Sequence, residues 1–521
     1  MVEEASARKV GAAAVLLAAS VLLSRVLGYA REALLAYRVG AGPDADAYYA
    51  AFQIPDLLNY LLAGGALSVA FLPMYAARRS QQSGAGDSAD QLLAVVLGTL
   101  TATAVIATAV LWWQAPSLIE LQFPRFDADT QLLTIRLTRI VLPAQVFFVA
   151  GGIINAALLS KGRFRAAAAA PLLYNGGIIA GGLLLAPFTG TPVEGFSWGA
   201  LIGAVCGPFF APLIDARKRI VVRARIAPLD RRFLSYLWIA APLMLGQTLL
   251  TVDEWYGRWF GALLEPGTVA HLSYARRMML VPVAVVGQAI AAAALPAMSR
   301  LWAERRADQL NRLVAQTLQT GLALAIFAGA AFYLFAHEIV IAIYQRGAFT
   351  SQDTTAVAAL LALLSLAVPA WITQQIITRA FYARSDTWRP MILGTVFAVA
   401  AIPLYITLGN AYGAVGLAMA PSIAMTANAV ATVCLARYLH GAPNLGAVGS
   451  TLGRALLIAA GAVAASLGLF GLSPEWTAVV GRIAVFTLVI VGGTFSFGDR
   501  AVRSALVQPI AGIARRLKSG H

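Results

Sequence analysis

Charge is what this chain has least of. Only 12% of its 521 residues are Asp, Glu, Lys or Arg, against roughly 25% in an average soluble chain. That scarcity, with 59% hydrophobic residues and a mean hydropathy of +0.74, excludes a soluble enzyme of ordinary type and a disordered protein. The two cysteines, Cys206 and Cys434, lie in apolar stretches, so no disulfide framework or Cys/His metal spacing is available. A glycine-rich phosphate loop with its lysine, an HExxH pair and a GxSxG elbow are missing too. No catalytic residue, metal or cofactor is therefore expected. Without an ATPase domain, transport would have to use a gradient, the membrane potential or substrate supply.

Long apolar runs take the place of charge. Leu92–Trp113 and Ala455–Leu472 approach the ~20 residues a helix needs to cross a bilayer core. Similar runs begin at Val10, Asp46, Leu92, Leu132, Ala166, Phe196 and Phe233, then at Val269, Leu310, Thr354, Pro390, Tyr412, Leu452 and Trp476. The expectation is an all-α integral membrane protein of about 14 transmembrane helices. A barrel is excluded because the runs are continuous rather than alternating. Arg8 and Lys9 followed by Val10–Leu23 look like the start of a secretory signal, but the apolar stretch continues past Arg25 to Tyr37 with no cleavage site. It reads as the first span.

The surplus of basic over acidic residues, 39 − 24 = +15, is distributed by loop. Arg8/Lys9, Arg78/Arg79, Lys161/Arg163/Arg165, the cluster from Arg217 and Lys218 to Arg232, Arg300/Arg305/Arg306/Arg312, Arg384/Arg389, Arg437 and the tail Arg515/Arg516/Lys518 form one set. The alternate loops carry Asp44, Glu120/Asp127/Asp129, Glu194, Glu265, Glu338 and Glu475, with Arg125 and Arg346 as single exceptions. The positive-inside rule places the first set and both termini in the cytoplasm, which requires an even number of spans. No soluble basic domain exists to bind nucleic acid.

Two landmarks recur. Leu72-Pro73 and Leu295-Pro296 are 223 residues apart, and Gly199 of Gly195-Phe-Ser-Trp-Gly199 and Gly416 of Gly413-Ala-Val-Gly416 are 217 apart. The offset predicts two pseudo-symmetric six-helix lobes, residues 1–232 and 233–445, and two C-terminal helices with a basic tail, 446–521. Because six is even, the repeat is parallel, as in some alternating-access transporters.

Ionisable groups at membrane depth face a cavity or a partner. The first span holds Arg25, Arg31 and Glu32. Arg25 and Glu32 fall about 20° apart around the helix and Arg31 about 120° from Arg25. These groups are open to two readings, a site or else ion pairs to neighbouring helices and snorkelling to the interface. The seventh and eighth spans add Asp253, Glu254, Arg258, His271, Arg276 and Arg277. Pairing of Glu254 with Arg258 at i,i+4 is one reading of that group, and it leaves Arg276 and Arg277 to be balanced. The first and eighth spans together are cationic, which suits an anion with planar oxygens such as phosphate or carboxylate. His271 reads as a hydrogen-bonding residue or a proton carrier, and Asp46 as a helix N-cap or a gate residue.

At Ser24-Arg-Val-Leu-Gly-Tyr-Ala-Arg31-Glu32, Gly40-Ala-Gly, Asp46-Ala-Tyr-Tyr-Ala-Ala-Phe, Ile54-Pro-Asp-Leu-Leu58 and Gly65-Ala-Leu-Ser-Val-Ala-Phe-Leu-Pro73 the chain resembles the MurJ (MviN) family of lipid II flippases, within the superfamily that includes MATE antiporters. Tyr274-Ala-Arg-Arg277, Leu295-Pro296, Arg346-Gly-Ala-Phe-Thr350 and Phe381-Tyr-Ala-Arg-Ser-Asp386 extend the match over most of the first 450 residues. The resemblance implies fourteen helices, two lobes around a cationic cavity, and passage of lipid II, the undecaprenyl-diphosphate-linked peptidoglycan precursor, to the outer leaflet of the bacterial inner membrane. By position it assigns Arg25, Arg31 and Arg277 to substrate, with Arg276, Glu32, Asp46 and Arg258 beside them. It gives the last two helices a groove for the lipid tail, and it makes membrane lipids and cell-wall synthesis proteins the expected company.

This chain departs from the family at several points. Asn59 stands where an arginine is frequent, Arg276 where an aspartate is common, and Ala63-Gly64-Gly65 where Ala-Glu-Gly often stands. By the same resemblance Gly257 stands in place of an aspartate that some relatives use for sodium; Asp253 lies one turn before it. Export of another lipid-linked oligosaccharide, a MATE-like antiporter and a transport-inactive scaffold therefore remain as alternatives.

Overall fold

The computed structural model describes residues 2–62, 70–80, 89–217, 220–250, 252–473, 475–499 and 502–503. Residues 63–69, Lys218, Arg219, Arg515, Arg516 and Lys518 lie outside the described residues, as do the side chains of Arg8, Lys9 and Asp253. Every regular element among the described residues is helical. The chain forms two compact units, residues 1–271 with 343–353 and residues 272–342 with 354–521.

The first unit contains α1 (Val2–Val39), α2 (Pro43–Ala51), α3 (Gln53–Leu62), α4 (Leu72–Ser80), α5 (Ala89–Gln122), α6 (Ala128–Val141), α7 (Ala144–Ser160), α8 (Arg165–Ala180), α9 (Pro192–Ala204), α10 (Ala211–Ala216), α11 (Arg231–Leu250), α12 (Val252–Gly261) and the first turn of α13 (Thr268–Pro282). Its apolar centre joins Leu92, Val95 and Val96 of α5 to Val149 and Ile153 of α7, with Phe71, Tyr75 and Tyr236 around them. Small residues decide the packing of α8 on α9. A Cβ on Gly177 would lie 2.5 Å from Gly203 Cα, and one on Gly181 2.5 Å from Gly199 Cα. Gly177 of α8 and Gly181 directly after it, with Gly199 and Gly203 of α9, thus let backbone touch backbone, the arrangement apolar solvent favours because side-chain burial drives nothing there. At the foot of α5 the basic linker lies extended, and Arg225 donates its N–H to Ala94 O at 2.9 Å.

The second unit contains the rest of α13, α14 (Ala289–Ala303), α15 (Ala307–Leu334), α16 (Ala336–Ile343), α17 (Ser351–Ser365), α18 (Val368–Ala383), α19 (Trp388–His440), α20 (Leu445–Phe470) and α21 (Trp476–Phe497), apart from Ile343 at the end of α16 and residues 351–353 at the start of α17, which belong to the first unit. Leu322, Ala323, Ile326 and Phe327 of α15 pack against Ala455, Ile458 and Ala459 of α20. A straight helix the length of α19 would measure about 80 Å, more than twice the ~30 Å hydrocarbon core. Gly413, at φ 58° and ψ −135°, breaks it. That left-handed φ is open to glycine and strained for a side chain.

Nine helices among the described residues are long and apolar enough to cross a bilayer, or ten with α17 and α18 as one bent span. The break in α19 adds one, matching the separate starts read at Pro390 and Tyr412. The starts at Val10, Asp46 and Phe233 fall on α1, α2 and α11. Fourteen spans fit this layout.

Candidate functional site

In the first unit the Arg31 guanidinium reaches Glu32 Oε1 at 2.6 Å and donates to Asn175 Oδ1 on α8 at 3.2 Å. Glu32 is buried and accepts the Tyr49 hydroxyl at 2.6 Å through its other oxygen. Asn175 also donates to Ser24 Oγ at 3.2 Å, so α1, α2 and α8 share one polar network. Arg31 and Glu32 thus form an ion pair within α1. Adjacent positions on a helix point about 100° apart, and the long arginine stem bridges that angle. Arg25 is half-buried on the same helix.

Asp46 caps a helix, but not its own. Gly42 occupies the N-cap of α2. The Asp46 carboxylate instead accepts N–H groups from Gly267 at 2.5 Å and Ala270 at 2.7 Å, at the start of α13. The unpaired amides of a helix N-terminus and its positive dipole end favour a carboxylate there. Gly267 has φ +90°, and a Cβ on it would meet Ala41 O at 2.7 Å. Replacing Asp46 with alanine should therefore lower stability by roughly 1.5–3 kcal/mol, the worth of hydrogen bonds to a charged group. Thermal unfolding of the purified protein in detergent measures this, with asparagine retaining part of the loss; an unchanged melting point for the alanine variant would refute the cap.

Arg258 is buried and held between two carboxylates, Glu254 Oε1 at 2.5 Å and Asp56 Oδ2 at 3.2 Å. The i,i+4 pair read from the sequence is present, and Asp56 adds a tie from α3 to α12. His271 Nε2 meets Asp353 Oδ1 at 3.0 Å, while Asp353 Oδ2 accepts the N–H and hydroxyl of Thr350, each at 2.8 Å. Asn59, in the place of a family arginine, donates to buried Gln145 at 2.8 Å, which fills that position with a neutral pair. A Cβ at Gly257 would meet nothing within 4 Å.

In the second unit Arg276 and Arg277 are half-buried on α13. The Arg276 guanidinium lies 5.6 Å from the ring centroid of Trp371 on α18, a cation–π distance. The aspartate common at this position could not make that contact. Asn175, Tyr49, Asp56, Asp353 and Trp371 were not singled out from the sequence. Asp56 alone carried a signal, an acid inside an apolar span.

The family model for "Lipid II flippase MurJ" matches residues 35–486. A probable lipid II flippase MurJ of Rhizobium tropici is 29% identical over 413 residues, covering 78% of this chain and 77% of that protein. The lipid II flippase MurJ of Burkholderia cenocepacia is 29% identical over 381 residues, covering 71% and 72%. Among solved structures, a lipid II flippase MurJ in an inward closed conformation superposes with a TM-score of 0.79 at 22% identity, covering 93% of this chain and 98% of that one. An inward-facing MATE family multidrug transporter of the MOP superfamily gives 0.67 at 16%, covering 82% and 98%. These two structural likenesses concern the fold.

Proposed function

Since the chain belongs to the MurJ family of lipid II flippases, a family of multi-pass membrane transporters and not of enzymes, we propose that it carries lipid II across the bacterial cytoplasmic membrane by alternating access. The observation that supports this most directly is the cationic balance at membrane depth. Arg25 and Arg31 on α1 and Arg276 and Arg277 on α13 stand against Glu32, which is 4 − 1 = +3. An amphiphile headed by a diphosphate supplies the matching charge, and arginine's planar fork suits its oxygens.

In this reading Arg25, Arg31 and Arg277 each act on the diphosphate. Glu32 and Asn175 fix the direction of Arg31. Asp46 secures the first turn of the helix that carries Arg276 and Arg277, and Arg258 holds α12 to α3. The lobes are those of the sequence repeat, 1–232 and 233–445, followed by the two helices of 446–521. The loop charges support cytoplasmic termini. The altered positions Asn59 and Arg276 favour one second reading, another lipid-linked oligosaccharide. Cationic substrates of the MATE kind fit a positive site poorly.

Complementation tests the reading. Cells depleted of their own lipid II flippase should resume wall synthesis when this chain is expressed. Failure of a well-expressed, correctly inserted chain would overturn it.

A further inference from the structure

Helix α18 is apolar on one side only. Trp371, Gln374, Gln375 and Thr378 fall within about 100° of arc around the helix, and all four are half-buried. Ile372, Ile376, Ile377 and Ala380 occupy the rest of the circumference and are buried. Gln374 lies nine residues before Ala383, the end of α18, where charged Arg384 and Asp386 follow. That distance is about 14 Å along the axis, close to the middle of a ~30 Å hydrocarbon core. A half-exposed polar stripe at such depth faces an aqueous cavity and not lipid, because hydrocarbon offers its amides nothing to bond.

The stripe has bonding capacity to spare. Among the described residues, the Trp371 indole N–H and Gln374 Oε1 are buried without hydrogen-bond partners, a state that costs free energy until a donor and an acceptor arrive. The face of the Trp371 ring is taken by the Arg276 guanidinium, which leaves the N–H edge for another partner. Gln375 owes its place to a missing side chain. A Cβ on Gly287, in the π-helical turn Val283–Gln288 that follows α13, would lie 3.0 Å from Gln375 Oε1. What the stripe offers is therefore neutral: an indole N–H, two primary amides and a hydroxyl. Such groups match amides and hydroxyls, each of which both donates and accepts, and add no charge for a diphosphate.

We infer that Trp371, Gln374, Gln375 and Thr378 bind the uncharged part of the substrate's headgroup, the amides and hydroxyls of an N-acetylated, peptide-bearing sugar. The inference rests on the reading of this chain as a carrier of lipid II and divides the labour within it. The arginines take the diphosphate, which every undecaprenyl-diphosphate carrier lipid shares. The stripe takes the groups that distinguish the loaded lipid from the bare one. Arg276 joins the two sets, since it neighbours Arg277 on α13 and stacks on Trp371 of α18.

Native mass spectrometry of the purified full-length chain with equimolar lipid II and undecaprenyl diphosphate tests it. The wild type should retain lipid II preferentially. Gln374→Met and Gln375→Met keep side-chain length but remove the amides, and each should cut lipid II retention by about fivefold, the worth of one neutral hydrogen bond. Retention of undecaprenyl diphosphate should stay at the wild-type level in both. Thr378→Val is the milder variant if either glutamine change prevents folding, and it should lower lipid II retention in the same selective way. An undiminished preference for lipid II in these variants would overturn the inference and leave the proposed function standing. Equal retention of the two lipids by the wild type would overturn it too, and so would an equal fall of both lipids in the variants. Retention of neither lipid by the wild type would instead overturn the reading on which the inference rests.

Discussion

Arg31→Ala should abolish rescue of flippase-depleted cells, and Arg277→Ala should do the same. For Arg31 two losses coincide. The guanidinium contacts both Glu32 and Asn175, and removing it takes that contact from a glutamate that is only 2% exposed. Breaking a buried pair in this way costs about 3–5 kcal/mol. The fork that would meet phosphate oxygens goes with it, and each charge-assisted hydrogen bond is worth roughly 1.5–3 kcal/mol. Losing one such bond slows transport on the order of 10- to 100-fold. Arg31→Lys restores the charge beside Glu32 but not the two-pronged contact, so it should recover melting temperature more than growth. Growth on depletion, read beside the amount of protein in the membrane, checks the set. Full rescue by both alanine variants would rule out the arginine mechanism.

Arg482→Ala should be the most destabilising single change in the second unit, by roughly 3–5 kcal/mol. Arg482 lies on α21 with 1% of its side chain exposed and bonds Glu338 of α16 at 2.5 Å and Ser473 O at 3.0 Å. Its removal leaves Glu338 partly buried and unbalanced. The pair is not itself a strong source of stability, because Arg482 Nε and Glu338 Oε2 are buried without hydrogen-bond partners. Replacing both residues with leucine should therefore recover most of the loss. Thermal unfolding in detergent separates the cases. A wild-type melting point for Arg482→Ala would refute the assignment, and so would a double variant no better than the single.

The spans were legible because a bilayer demands continuous apolar length, and even the division of α19 showed as a second start at Tyr412, beside Gly413. The charged residues of the site were legible because they interrupt such runs. Their partners were not. Asn175 is 144 residues from Arg31, Asp56 is 202 from Arg258, and the amides that Asp46 accepts are 221 and 224 away. Such pairings are set by which helices pack together, and no local spacing encodes that. Helical projection placed Glu32 near Arg25; it did not show that the flexible stem of Arg31 also turns across the projected angle to reach Glu32. Asp46 shows the same limit. Its capping chemistry could be read from the sequence, but the helix it serves could not.

The contact of α8 with α9 has a mechanical consequence. Where Gly177 and Gly181 meet Gly203 and Gly199, no side-chain layer separates the two backbones. Packed side chains can yield to shear by changing rotamer, but apposed main chains have no such freedom, and sliding one past the other would drive carbonyls into Cα atoms. The pair therefore resists shear and bends as a single beam. In a carrier that works by displacing helices, α8 and α9 form a stiff member that transmits movement without absorbing it, and the Asn175 anchor on α8 joins the arginine end of α1 to that member.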